Sequence, residues 1–374
     1  MSPPRILYVL SSLAANDLGD EIVTILGRLS RSRFEPAVVS LGGREDLKRR
    51  IDEMQVSQRT LGLAGPIGAL RAVGKVRKLI TEIGPDVVHG FGSWGGSVAQ
   101  LAAPKDVAVV RSVTRPPTHE KDLRGLVLQH LERRGRSRVA TYFVVPNEGS
   151  RGLAVRAYNA ADGHIRVLPR CIDVEEVRDR VKRTSREDAR ALLGIETDET
   201  AFVVLSDFES GARMDQILSG FLLATQQNPR LRIFMVGSGR YEGSTRWKAE
   251  ELGLGGSVAF LGRGTEAGPV WSAGDVAIDA SPWASWSRTA LIAIAAGLPT
   301  MKRQEGVGGW SEELAEKLPM ISGDPGRFAA EVVGIAEDPS VLDDVRRTGE
   351  GVVREVDAAR VADELGDLYR SLDA

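Results

Sequence analysis

Cysteine is almost missing from this chain: Cys171 is the single one among 374 residues. A lone thiol excludes an internal disulfide framework and a cysteine zinc site, and this usage fits a reducing cytoplasm. Histidine is nearly as scarce. His89, His119, His130 and His164 stand at no metal-ligand spacing, and no cofactor is expected. No run of about 18 uncharged apolar residues offers a membrane span. The start, Met1 to Leu10, enters a short apolar strand instead of a long signal-peptide core. A charge surplus is lacking too: 49 basic against 51 acidic residues leave a net charge of -2, which gives no global field for nucleic acid or an anionic membrane. Partners must be read from local sites.

What the chain does have is length and a steady alternation of apolar runs. With 374 residues and 42% hydrophobic content it exceeds one ordinary core and suits two α/β domains. Arg5 to Ser12, Glu35 to Leu41, Asp86 to His89, Val107 to Val113, Ala140 to Pro146 and His164 to Pro169 read as buried parallel strands. Helical patterns lie between them, such as Asp20 to Ser30 with Ile22, Ile25, Leu26 and Leu29 on one face. Gly90-Phe-Gly92 with Gly95-Gly96 reads as a glycine-rich turn. Glu175 to Arg190 is nearly all charged and reads as a linker region. The rhythm then restarts at Ala201 to Ser206, Leu231 to Val236, Val258 to Leu261, Val276 to Asp279 and Pro299 to Lys302, with Met320-Ile321 as a further short strand. Two such halves are expected to leave a cleft in which small ligands bind.

The stretch Asp279 to Thr300 draws attention within this pattern. It reads as a strand end, a loop of small residues, a helix starting near Ser285 or Ser287, a stop at Gly297 and Pro299 beyond it. A helix N-terminus with unpaired N–H groups suits a phosphate. One more buried βα unit is the alternative that periodicity alone leaves open.

Several segments, in order, resemble glycosyltransferase family 4, the group 1 transferases of the GT-B class. They are Pro85-Asp-Val-Val-His89, Ile165-Arg-Val-Leu-Pro169 with Ile172-Asp173, Arg232-Ile-Phe-Met-Val-Gly-Ser-Gly239, Lys248 to Leu254, Val258-Ala-Phe-Leu-Gly262, Trp271 to Pro282, Ala293-Ile-Ala-Ala-Gly-Leu-Pro299 and Gly323-Asp-Pro325. The resemblance covers nearly the whole chain. It implies two Rossmann-like domains with parallel sheets facing across a cleft: residues 1–171 on the acceptor side, 172–354 on the nucleotide-sugar side, and a helix in 355–374 returning to the first. It further implies a nucleotide diphosphate sugar as donor, a glycan, lipid-linked or small-molecule acceptor, and transfer with retained anomeric configuration without a bound metal.

The donor positions depart from that pattern. The two glutamates that the family places eight positions apart are Ala284 and Ile292, and the glycine-rich loop between them is Ser285-Trp286-Ser287-Arg288. The Gly-Arg and Lys that neutralise the leaving diphosphate become Ser206-Asp207 and Ala212-Arg213. The glycines after the first strand correspond to Asn16-Asp-Leu-Gly-Asp-Glu21, whose acids would repel a diphosphate, and the hinge Asn-Gly is Arg170-Cys171. The residues left to act are Arg213, Ser287, Arg288 and Thr289 on the phosphates, with a merely exposed arginine as the alternative for Arg288, and, by resemblance, His89 on a sugar, with a structural histidine as the alternative. Arg111 and Arg115 are candidates for an anion, with solvated surface as the alternative, and Trp283 and Trp286 for stacking on a ring, with packing as the alternative. Gly237 and Gly239 read as a turn, and Glu209 and Glu305 as loop carboxylates. Two functions follow: a glycosyltransferase, or a catalytically inactive relative that binds a glycan or a protein.

Overall fold

The computed structural model describes residues 3–63, 65–113, 123–135, 141–209, 212–263, 268–281, 286–304 and 319–372. The chain forms two compact units, Met1–Cys171 with Ala358–Ala374, and Ile172–Asp357. The expected boundary at residue 354 falls inside the helix Asp343–Glu355; the chain passes to the first unit only where the next helix, Ala358–Leu372, begins.

In the first unit, β1 (Arg5–Leu10), β2 (Glu35–Ser40), β3 (Ser57–Thr60), β4 (Val87–Phe91), β5 (Ala108–Ser112), β6 (Thr141–Val145) and β7 (Ile165–Val167) form one parallel sheet in the order β3-β2-β1-β4-β5-β6-β7. The apolar runs are continuous because both faces are covered. Along β1, Ile6, Tyr8 and Leu10 face the helices Asp17–Arg28 and Ala358–Leu372. Leu7 and Val9 face the helices Gly65–Ile83 and Gly92–Ala102, as the two-residue period of a strand requires. The glycine-rich stretch after β4 is the opening of the helix Gly92–Ala102 rather than a turn alone. A Cβ on Gly95 would lie 2.3 Å from the Val9 carbonyl oxygen, so glycine there lets the helix sit on the sheet. The last helix is part of this core: Val361, Leu365 and Tyr369, one helical face, are all buried in it.

The second unit repeats the plan with β8 (Thr200–Leu205), β9 (Leu231–Val236), β10 (Val258–Phe260), β11 (Val276–Asp279), β12 (Thr300–Arg303) and β13 (Met320–Ile321), all parallel, in the order β10-β9-β8-β11-β12-β13. Phe202 and Val204 point to one apolar layer, Ala201, Val203 and Leu205 to the other. The charged segment expected to be a linker is two helices of this unit, Val174–Lys182 and Arg186–Leu192. They are anchored by few apolar residues, Val174, Val177, Val181 and Ala189 among them, which is why their pattern looks solvated. In each sheet the order reverses beside the unit's first strand, between β1 and β4 and between β8 and β11. The carboxyl ends at such a reversal are where α/β sheets open a crevice.

Candidate functional site

At the carboxyl end of the first sheet the side chains that could act are turned inward. His89, on β4, is fully buried. Its Nδ1 lies 2.6 Å from the Tyr369 hydroxyl and its Nε2 2.9 Å from the Ser112 hydroxyl. Tyr369 donates in turn to the Tyr8 hydroxyl at 3.1 Å. With the Tyr369 proton given to Tyr8, the Tyr369 oxygen accepts from Nδ1–H and Nε2 accepts from the Ser112 hydroxyl, which fixes the tautomer. Burial alone pulls the imidazole down to about 3, so the ring is neutral. The sequence places His89 against a sugar; the structure gives both of its nitrogens to protein partners.

Arg111 is likewise withdrawn from any anion. It is 1% exposed, donates to Glu132 at 3.0 Å and to the Gln100 side chain at 2.8 Å, and lies over the Tyr158 ring at 4.0 Å. Arg115 lies outside the described residues.

The acids expected to repel a phosphate are also spoken for. Asn16 caps the helix Asp17–Arg28 by accepting from the amides of Leu18 and Gly19. Arg170, 8% exposed, donates to Glu21 at 2.9 Å and to Asp17 at 3.4 Å, and also to the Asp17 carbonyl at 3.2 Å. Burial works against the Arg170 charge, but the two carboxylates overcome it and hold its pKa above the ordinary value. The two departures from the family pattern, the acidic loop and the Arg-Cys hinge, are thus halves of one ion cluster.

The carboxyl end of the second sheet is built differently. After β8, Ser206 accepts from the Phe208 amide through its hydroxyl at 3.0 Å, and Phe208 turns into the left-handed region at φ 45°. Arg213, just before the helix Met214–Gln227, does the same at φ 46° and is exposed. A buried phenylalanine in that region is strained, because its Cβ crowds the following carbonyl. The neighbouring loop after β9 presses against this one. A Cβ on Gly237, at φ 134°, would stand 1.7 Å from the Ser206 carbonyl oxygen, and one on Gly239 1.8 Å from that of Asp207. These glycines therefore set a close approach of two loops. Asp207 is half-buried and Glu209 exposed.

Beside them, β11 leads to the helix Arg288–Ala295. Ser287 is its N-cap: the hydroxyl accepts from Ala290 at 3.1 Å, and the Ser287 amide donates to Asp279 at 3.0 Å. Both its polar groups therefore serve the loop itself. Arg288 and Thr289 form the first turn and are half-buried. Trp286 and Ile292 pack, half-buried, into the apolar layers around this helix. Trp283, Ala284 and Glu305 lie outside the described residues. Sequence reasoning missed three cations at this end. Arg263 donates to the Ser238 hydroxyl at 2.8 Å and to its carbonyl at 2.9 Å. Lys302 and Arg303 close β12 and are buried. In the sequence Lys302 reads as the end of a strand and Arg303 lies just beyond it; charge at the end of such a strand is the signal that was available.

Among the described residues no group of three or more His, Cys, Asp or Glu could hold a metal ion, and no helix is long and apolar enough to cross a membrane.

Residues 22–176 match the model of Glycosyltransferase Family 4. No curated protein matches the chain. Among solved structures, HepE of Anabaena in complex with UDP is similar with a TM-score of 0.74 and 16% identity, covering 98% of this chain and 100% of that one. Sucrose-phosphate synthase from Thermosynechococcus elongatus reaches 0.76 at 16% identity over 99% of both chains. WaaG, a glycosyltransferase involved in lipopolysaccharide biosynthesis, reaches 0.74 at 14% identity over 98% of this chain and 99% of its own. With its two parallel sheets, the chain has the GT-B fold of glycosyltransferases, two Rossmann-like units in sequence. The likeness to family 4 that the motifs carry is found again in the match over the first unit.

Proposed function

We propose that the carboxyl end of the second sheet binds the diphosphate of a nucleotide sugar, and that the protein transfers that sugar to a glycan, lipid-linked or small-molecule acceptor. The observation that carries this reading is the construction around β8 and β11. Two adjacent loops hold a strained backbone, a helix N-terminus and the side chains of Arg213, Arg288 and Thr289 at one end of one sheet. Strain of this kind persists where the surroundings enforce it, and it gathers at ligand sites. A guanidinium beside a helix N-terminus matches a diphosphate in charge and in hydrogen-bond donors. HepE, which shares the fold, is known in complex with UDP and with UDP-glucose. Retention of configuration is what the family resemblance implies for the transfer.

With the Ser287 amide and hydroxyl engaged inside the loop, the phosphate contacts fall to Arg213, Arg288 and the Thr289 side of the helix start. Calorimetric titration of UDP, GDP and ADP, and of their sugars, tests the reading. One nucleotide is expected to bind, and Arg288→Ala to weaken it about 10- to 100-fold, the worth of one charge-assisted hydrogen bond. No heat from any of them would sink the donor-site reading. Release of free nucleotide from a bound nucleotide sugar, abolished in Arg288→Ala, separates a transferase from a homologue that only binds.

A further inference from the structure

We infer that Lys302 and Arg303, the last two residues of β12, are positioning residues that hold the two walls of the nucleotide site in shape. This rests on the donor-site reading above. Successive strand residues point to opposite faces, and these two use that to reach both loops. On one face Lys302 donates to Asp279 at 3.0 Å and to the Ser281 hydroxyl at 2.6 Å. Asp279, its registered neighbour on β11, accepts from the amides of Ser281 and Ser287, both at 3.0 Å. One carboxylate thus holds the Ser281 and Ser287 amides and sets where the helix Arg288–Ala295 starts. On the other face Arg303 donates to the Ala212 carbonyl at 3.1 Å and to the Gln216 side chain at 2.6 Å. That fixes the turn from which Arg213 projects.

Lys302 and Asp279 are both 0% exposed. A pair so buried is a poor source of stability, because desolvating both charges cancels most of their attraction, and an apolar pair of similar size commonly serves as well. Asp279 and Lys302 lie on adjacent central strands, where the surrounding sequence supplies apolar residues freely. What an apolar pair does not supply is a polar latch that holds the Ser281 and Ser287 amides at the strand tip.

The double variant Asp279→Leu with Lys302→Met, and separately Arg303→Met, test this. Thermal unfolding is expected to stay cooperative with a lowered midpoint, because the Ser281 and Ser287 amides or the Ala212 carbonyl lose their partner. UDP affinity, measured by calorimetry at a temperature where each variant is fully folded, is expected to fall about tenfold or more, since small misplacements of site groups are costly. UDP affinity unchanged in both variants would overturn the inference. Hydrogen exchange at the Ser287 amide supplies a readout that needs neither nucleotide nor variant: in the parent chain it should exchange as slowly as the β11 amides, and rapid exchange there overturns the latch. If the parent chain binds GDP or ADP instead of UDP, that nucleotide replaces UDP in the test; if it binds none of the three, the donor-site reading fails by itself. The exchange rate of Ser287 in the double variant then decides: faster exchange supports the positioning role, and an unchanged rate ends it.

Discussion

The two sheets carry the same strand order and the same reversal, yet their carboxyl ends are furnished in opposite ways. In the first unit Arg111 is answered by Glu132, Arg170 by Glu21 and Asp17, and the neutral His89 by Ser112 and Tyr369, all of the same unit. In the second unit the backbone is strained at Phe208 and Arg213, two loops approach at glycines, and Arg213 stands in solvent. Satisfied side chains fill the first end; the second has strained loops and an exposed arginine, which is what the donor-site reading rests on. The contrast teaches that one strand order leaves the furnishing of its carboxyl end to the local residues.

The contrast breaks most severely at Arg111. Arg111→Met would leave the Glu132 carboxylate, 2% exposed, buried without its cation. Breaking a buried pair from one side costs about 3–5 kcal/mol, and urea unfolding should show a loss of that size with nucleotide affinity intact. A change in affinity with no loss of stability would place Arg111 at a ligand after all. Gly237→Ala is the counterpart in the second unit. Its Cβ would need the space of the Ser206 carbonyl at a backbone angle that disfavours side chains, so overpacking of about 1–3 kcal/mol is expected, together with loss of UDP binding.

His89 sharpens the comparison through pH. Its folded pKa of about 3 lies below the ordinary 6.5, so the fold prefers the neutral ring. That preference is fully present above pH 6.5 and is lost as pH falls from 6.5 toward 3, since the unfolded chain takes up a proton that the folded one refuses. Within the window each pH unit costs about 1.4 kcal/mol. The groups facing the ring, Ser112, Tyr8 and Tyr369, stay uncharged throughout; burial holds both tyrosines above their usual range. Denaturant midpoints measured from pH 7.5 to 5 should therefore fall more steeply for the parent chain than for His89→Gln, by about one proton's worth of slope. Equal slopes would mean that the ring is not buried neutral.

How much of this was legible in the sequence follows from how far apart the interacting residues lie. The sheets were readable because parallel strands buried on both faces are short continuous apolar runs, and Gly297 with Pro299 marked the end of a helix from local chemistry alone. The loops at the ends of β8 and β11 were found because each sits at one place in the chain. The partnerships were not. His89 meets Tyr369 across 280 positions, and Arg170 meets Glu21 across 149. No local pattern shows that a histidine at a strand end will be sealed by the last helix, or that an acidic loop carries its own counter-ion. Asp279 and Lys302 are 23 positions apart, but a charge at the tip of a strand reads as solvated until the strands are paired.

The smallest effect is the most telling about the second unit, because its two parts have opposite signs. Arg213 holds φ 46° while its side chain is exposed, so the fold bears a backbone cost there. Left-handed backbone costs a residue with a Cβ about 1–2 kcal/mol, and glycine removes that strain while losing about 0.5–1 kcal/mol in added freedom of the unfolded chain. Arg213→Gly should therefore stabilise the protein by roughly 0.5 kcal/mol. If the guanidinium is held there for a phosphate, the same change should weaken UDP binding. Asn159→Gly in the first unit is the control: Asn159 is also left-handed, at φ 55°, and ends the helix Glu148–Tyr158. It should leave affinity untouched. A gain in stability at Arg213 with no loss of affinity would show strain without a ligand, and the second unit would then resemble the first.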